Sequence, residues 1–180
     1  MYRPAGTRFE PEYLDIQDKS GRFSVNCFAW LSAYGLGDII RISSNFNSSN
    51  YLEMLKNEVF PKIKATFHDE IPIFMQDNSP VHTAKIIKEY LNNQEDIGLI
   101  DWPVKGADLN PVENLWSYLQ FGVSKLIRQN GKPKNSDDLW DYIELIWDLL
   151  KRTSYHVNLY QSMPKRVSAV CLKKGGWSKY

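Results

Sequence analysis

Apolar residues recur along this chain with two different periods, and the switch between them limits the fold to one class. Residues 23–30, rich in aromatic and β-preferring side chains, read as a strand. A glycine-bearing turn, Ala33-Tyr34-Gly35-Leu36-Gly37, and a second strand over 38–42 complete a hairpin. The polar run 43–50 supplies a loop with Ser48 or Ser49 as helix cap. Tyr51, Leu52, Leu55, Val59 and Phe60 then follow helical spacing to an end or a kink near Pro61. Residues 71–76 return to strand, and their continuous apolar character predicts cover on both faces. A helix over 83–93 and a short strand over 97–100 follow. Val112, Leu115, Trp116, Leu119, Val123, Leu126 and Ile127 mark one buried stripe of a long helix. Asn130-Gly131-Lys132-Pro133 breaks that helix, Ser136 is the expected cap of the next, and a last helix is expected over about 159–173. A hairpin followed by strands alternating with helices predicts an α/β layer architecture.

Two acids stand at the ends of these elements. Asp77 follows the apolar run Ile73-Phe74-Met75 in Gln76-Asp77-Asn78-Ser79-Pro80-Val81-His82-Thr83-Ala84. Glu113 follows Asn110-Pro111, which reads as the cap and first position of the long helix, in Asp108-Leu109-Asn110-Pro111-Val112-Glu113-Asn114-Leu115-Trp116. Strand ends and first helical turns are rigid supports, and two carboxylates held there can converge on one divalent cation. Each acid also has a plainer reading. Asp77 suits an ordinary Asx turn, and Glu113 suits a carboxylate reaching back to a cap amide. Asn78 either orients Asp77 or caps the following turn; His82 either approaches the acid or bonds locally at a helix start. Both alternatives stay open at this level.

Together the two segments resemble the catalytic core of Tc/mariner-type DDE transposases, whose motifs read Q-D-N-x-P-x-H-T and D-L-N-P-x-E-N-L-W. Asp77 and Glu113 have 35 residues between them, close to that family's habit. The similarity extends to residues 3–9 and 27–37, to Ser162-Met163-Pro164-Lys165-Arg166 and to Lys174-Gly175-Gly176-Trp177-Ser178-Lys179-Tyr180, nearly the whole chain. It implies a ribonuclease H-like fold, DNA phosphodiesters at transposon ends as substrate, DNA transposition and integration as the process, and the nucleus as the compartment. It assigns Asp77 and Glu113 as catalytic residues and ligands of Mg²⁺ or Mn²⁺, with Asn78 and His82 beside them.

Departures from the family pattern shape the expectation further. Residues 1–180 show no counterpart of the strand carrying the first catalytic Asp, nor of the helix-turn-helix modules ahead of it; Asp15 and Asp18 do not match that position. The resemblance thus implies a partial catalytic domain, N-terminally truncated with the central first strand missing, and inactive alone. Two strands would face the gap, to be closed directly, by self-association or by a partner. Gly106-Ala107 stands where the family has Ser-Pro, which loosens the loop leading to Glu113.

Composition narrows the alternatives. A chain of 180 residues with 43% hydrophobic content suffices for one packed core. No apolar run approaches the roughly 18 residues of a membrane span, so no membrane partner is expected. Cys27 and Cys171 lack metal-ligand neighbours and read as reduced buried thiols. Net charge is only +1, but the last 30 residues hold seven basic residues and no acidic ones, while the first 150 hold 15 positive against 21 negative charges, a balance of −6. Lys165, Arg166, Lys173 and Lys174 are therefore candidates for meeting nucleic-acid phosphates; the alternative is a solvated, dipole-favoured helix end. Besides a transposase-derived endonuclease, two other functions fit: a non-catalytic nucleic-acid- or protein-binding module, and a decayed transposon fragment without selected function.

Overall fold

A computed structural model describes residues 23–100, 102–103, 106 and 109–173. The expected hairpin is present. Strands β1 (Asn26–Phe28) and β4 (Ile40–Ile42) pair antiparallel with Cys27 opposite Arg41, and the tip folds into its own two-residue ladder of β2 (Leu31–Ser32) and β3 (Gly35–Leu36). Gly37 closes this arm by donating its N–H to Trp30 O at 2.9 Å. A Cβ at Gly37 would lie 2.1 Å from the Trp30 ring, so only glycine fits.

One helical rod follows: α1 (Ser48–Met54), a π-helical turn (Leu55–Val59) and α2 (Phe60–Thr66). Its cap is Asn47 rather than Ser48 or Ser49. The Asn47 Oδ1 accepts from the N–H groups of Ser49 and Asn50, while Asn50 Oδ1 accepts from the N–H of Asn47, a reciprocal pair a serine cannot complete. The rod passes Pro61 unbroken, because the wider π turn has already displaced the i−4 pairing that a proline disrupts.

Strands β5 (Ile73–Phe74) and β6 (Gly98–Leu99) pair in parallel, with α3 (Lys85–Asn92) as the crossover. The strand expected over 71–76 is shorter than that, and it is not covered on both faces. Ile71 and Ile73 are 66% and 70% exposed. Phe74, pointing the other way, packs on Phe60 with ring centroids 5.2 Å apart. Only that second face meets a helix among the described residues. No ladder among them joins β1–β4 to β5–β6.

Among the described residues three packed regions hold these pieces, one of them Leu119 against Ile143 and Ile146. Tyr51, Leu55, Val59 and Phe60 on the helical rod meet Ile87 and Leu91 of α3 and Ile97 before β6. The hairpin meets α4 (Val112–Asn130), α5 (Ser136–Lys151) and α6 (Tyr155–Leu172) through Ala29, Leu115, Trp147, Leu150 and Leu159. Trp147 Nε1 donates to Gly37 O at 2.9 Å, joining α5 to the hairpin arm. Gly131, at φ 94°, ends α4 as its position foretold. Asn135, not Ser136, caps α5, its Oδ1 accepting from the N–H groups of Asp137 and Asp138. Helix α6 starts four residues before the expected 159, because Tyr155 already packs against the second core. Cys27 is half-buried, but Cys171 is exposed in the last turn of α6, so the reading of two buried thiols fails there.

Candidate functional site

Asp77 lies just beyond the carboxyl end of β5, where the chain turns through Asn78-Ser79-Pro80. The Ser79 N–H donates to Asp77 Oδ1 at 3.1 Å, and the N–H groups of His82 and Thr83 both donate to Ser79 O at 3.0 Å. The Asx-turn reading of Asp77 is therefore correct as local geometry. It coexists with a second contact: His82 Nδ1 lies 2.6 Å from the same Oδ1. Burial raises the pKa of Asp77, but the Ser79 amide and the His82 ring outweigh it and hold the carboxyl below its ordinary range. The acid is ionised at neutral pH, on a side chain 53% exposed.

Two residues that sequence reasoning took for core or strand support this turn. Tyr51, fully buried, donates from its hydroxyl to Gln76 Oε1 at 2.8 Å, and Gln76 Nε2 donates to His82 O at 3.1 Å. The Tyr51 and His82 rings lie 4.5 Å apart, centroid to centroid. Burial, then the Asp77 charge, pushes the Tyr51 pKa up, so its hydroxyl stays a donor. A buried tyrosine signals in advance that its O–H needs a partner. Which partner, 25 positions away, only the fold supplies.

The Asn78 side-chain amide donates away from Asp77. Its Nδ2 donates to Trp102 O at 2.7 Å, pinning the segment after β6 across the end of β5. Asp77, Asn78 and His82 line one cavity of about 340 Å³ between α3 and the β5–β6 ends.

Glu113 sits outside that cluster, exposed in the first turn of α4. Asn110 behaves as the expected cap, with Oδ1 accepting from the Val112 N–H at 3.1 Å, and Pro111 is already in the right-handed helical region. The Glu113 carboxylate makes no hydrogen bond or ion pair with the described residues, so it is not spent on capping. The neighbouring Asn114 is engaged: its Oδ1 accepts from Arg166 Nη2 at 2.7 Å, and Arg166 Nε donates to Ser162 Oγ at 2.8 Å. Arg166 is 3% exposed, which removes it from any phosphate-meeting surface. Lys165 is exposed on α6 and Lys173 just after its last residue; Lys174 lies outside the described residues, as do Asp15 and Asp18. Among the described residues no three of His, Cys, Asp and Glu gather as a metal-binding group.

A strand-end acid beside a parallel strand pair, with helices packed on the sheet pieces, fits the ribonuclease H-like fold. Residues 1–132 match the family described as DDE superfamily endonuclease, and this chain belongs to that family. The chain is 32% identical over 178 residues to the Transposable element Tcb2 transposase of Caenorhabditis briggsae, and 28% identical over 178 residues to the Transposable element Tc1 transposase of Caenorhabditis elegans. Each alignment covers 99% of this chain and 62% of the relative, so the chain spans about three fifths of their length. Its domain is thus of the Tc1/mariner transposase type. The catalytic domain of Mos1 mariner transposase superposes with TM-score 0.65 at 13% identity, covering 87% of this chain and 82% of that one. A Mos1 transposase paired-end complex with left transposon end gives TM-score 0.68 at 17% identity, with 87% and 46% covered. These likenesses give the fold, ribonuclease H-like as the motifs implied.

Proposed function

We propose that Asp77 and Glu113 are the carboxylates through which this chain takes part in metal-dependent processing of DNA phosphodiesters during DNA transposition, in the nucleus. The observation that carries this reading is the state of Asp77. It is ionised, held at one oxygen by Ser79 and His82, and exposed at the end of a strand. Exposed hard carboxylate oxygens suit Mg²⁺ or Mn²⁺. Solved Mos1 catalytic domains with Raltegravir carry Mg in one case and Mn in the other, and share this fold. Held by these carboxylates, such ions would supply activation of the attacking oxygen and stabilisation of the leaving one. This chain contributes Asp77 and Glu113 as ligands, with His82 fixing the Asp77 carboxylate. Lys165 of α6, Lys173 and Lys174 are the candidate contacts to DNA phosphates.

Among the described residues no third carboxylate joins Asp77 and Glu113, and two carboxylates make a weak metal site, so cleavage is not expected of this chain by itself. Labelled transposon-end DNA incubated with the chain and Mn²⁺ should show no cleavage above an Asp77→Ala control. Mn²⁺ titration should show binding that Asp77→Asn and Glu113→Gln each reduce. Binding that survives both substitutions would remove the metal-ligand assignment.

A second reading, a non-catalytic module that binds protein or nucleic acid, is favoured by the exposed Ile71 and Ile73 on one side of β5. A salt series separates its two forms, since phosphate contacts weaken steeply with salt and apolar contacts do not.

A further inference from the structure

We propose that the cavity beside Asp77 is a nucleotide subsite, taking one unpaired base of a DNA strand together with its phosphate. This rests on the reading of Asp77 as a DNA-processing residue and names what the neighbouring space would hold. The volume, about 340 Å³, is at the small end of ligand pockets. Its lining is divided by chemistry. Leu91 of α3, with Leu99 and Ile100 at the end of β6, offers an apolar wall, and Trp102 adds an indole. Leu99 and Ile100 are 43% and 51% exposed, so the structure leaves that wall to be covered by something else. The hydrogen bond from Asn78 Nδ2 to Trp102 O holds the indole segment at the cavity.

The polar half has two unengaged groups. Lys88 and Asn92, one turn apart on α3, make no side-chain hydrogen bond or ion pair among the described residues. Lys62, Lys64, Lys85 and Lys151 are all paired with acids. An ammonium and an amide beside an indole and branched aliphatic side chains match a ligand that is flat and apolar on its faces, polar at its edge and anionic at one end. A nucleotide has that character. Inorganic phosphate would have no use for Leu91, Ile100 and Trp102, and an aliphatic side chain none for Lys88 and Asn92. The negative charge of Asp77 directs the phosphate toward Lys88.

The test is an amide-resolved NMR titration of the full chain in EDTA, so that it does not depend on the cation site, with dAMP, deoxyadenosine and inorganic phosphate as probes. dAMP should shift the amides of Lys88, Leu91, Leu99 and Ile100 with a millimolar midpoint, and deoxyadenosine should bind the same amides more weakly. Trp102→Ala should weaken both by about tenfold through lost stacking. Lys88→Gln should weaken dAMP by about fivefold and leave deoxyadenosine unchanged, since it removes only the phosphate contact. Thermal unfolding of each variant reports whether it keeps its fold. If Trp102→Ala loses it, Ile100→Glu, at an exposed position on the same wall, should abolish dAMP binding. The proposal is overturned if dAMP shifts no cavity amide, if inorganic phosphate reproduces the dAMP shifts, or if Lys88→Gln weakens nucleoside and nucleotide alike. Loss of Mn²⁺ binding with nucleotide binding retained would count against the metal reading alone, and the reverse result against the subsite alone.

Discussion

Arg166 donates from Nη2 to Asn114 Oδ1 at 2.7 Å, joining the middle of the last helix to the first turn of the helix that carries Glu113. Two sequence segments 52 positions apart thus become one support, with a guanidinium 3% exposed at its centre. Arg166→Met and Asn114→Ala should each cost about 2 kcal/mol in urea denaturation, because each strands a buried polar partner. The double variant should lose less than the sum, as contacting residues do. Lys165→Gln, beside Arg166 but exposed, should stay within about 0.5 kcal/mol of the parent.

Asp38 accepts from Lys151 Nζ at 2.6 Å and lies 2.8 Å from Lys62 Nζ, tying the hairpin to α5 and α2. The Lys151 hydrogen bond first, and then that of Lys62, hold its pKa below the ordinary carboxylate value. A lowered folded-state pKa means that the stabilisation is complete above the ordinary carboxylate pKa and is lost as pH falls through the folded one. The Asp38 side chain is 47% exposed, so screening limits the effect to about 1 kcal/mol or less. Denaturation midpoints of the parent and Asp38→Asn should differ at neutral pH and converge as the pH falls below the ordinary carboxylate range. A gap that widens on acidification would contradict the assignment.

Gly37→Ala places a methyl group 2.1 Å from the Trp30 ring in an arm whose carbonyl also receives Trp147 Nε1. The indole cannot withdraw without opening the hairpin tip, and a loss of about 3 kcal/mol is expected. Thermal unfolding of the variant, with Trp fluorescence as the local probe, measures it.

Tyr51→Phe removes one oxygen and leaves Gln76 Oε1 without its donor. About 1–2 kcal/mol of stability should go with it. Because Gln76 also holds the His82 carbonyl, the His82 ring resonances should shift in the variant while those of His68 stay in place. Unchanged His82 signals would mean that the Asp77 turn does not depend on the buried tyrosine.

The readings that held in the structure are the ones that local spacing decides. The long stripe from Val112 to Ile127 became α4, the break at Gly131 took its positive φ, and Asp77 made the Asx turn that Asp-Asn-Ser-Pro suggests. The misses lie where neighbours compete. Asn47 and Asn135 took the caps expected of Ser48 or Ser49 and of Ser136, because an asparagine one position earlier offers an oxygen to two successive amides. Arg166 read as surface charge, since nothing in its own helix reveals that Asn114 and Ser162 enclose its guanidinium.

What the amino-acid order determined alone is the class of layered α/β chain and the position of each acid within its own element. Hydrophobic period and backbone capping act within a few residues. What only the tertiary structure decided is which side chains far apart in sequence meet: Tyr51 beneath Gln76 and His82, Arg166 against Asn114, Ile73 left uncovered on β5. Those outcomes depend on where whole elements pack. An element presents many faces of similar apolar content, and only the assembled chain selects which of them is buried.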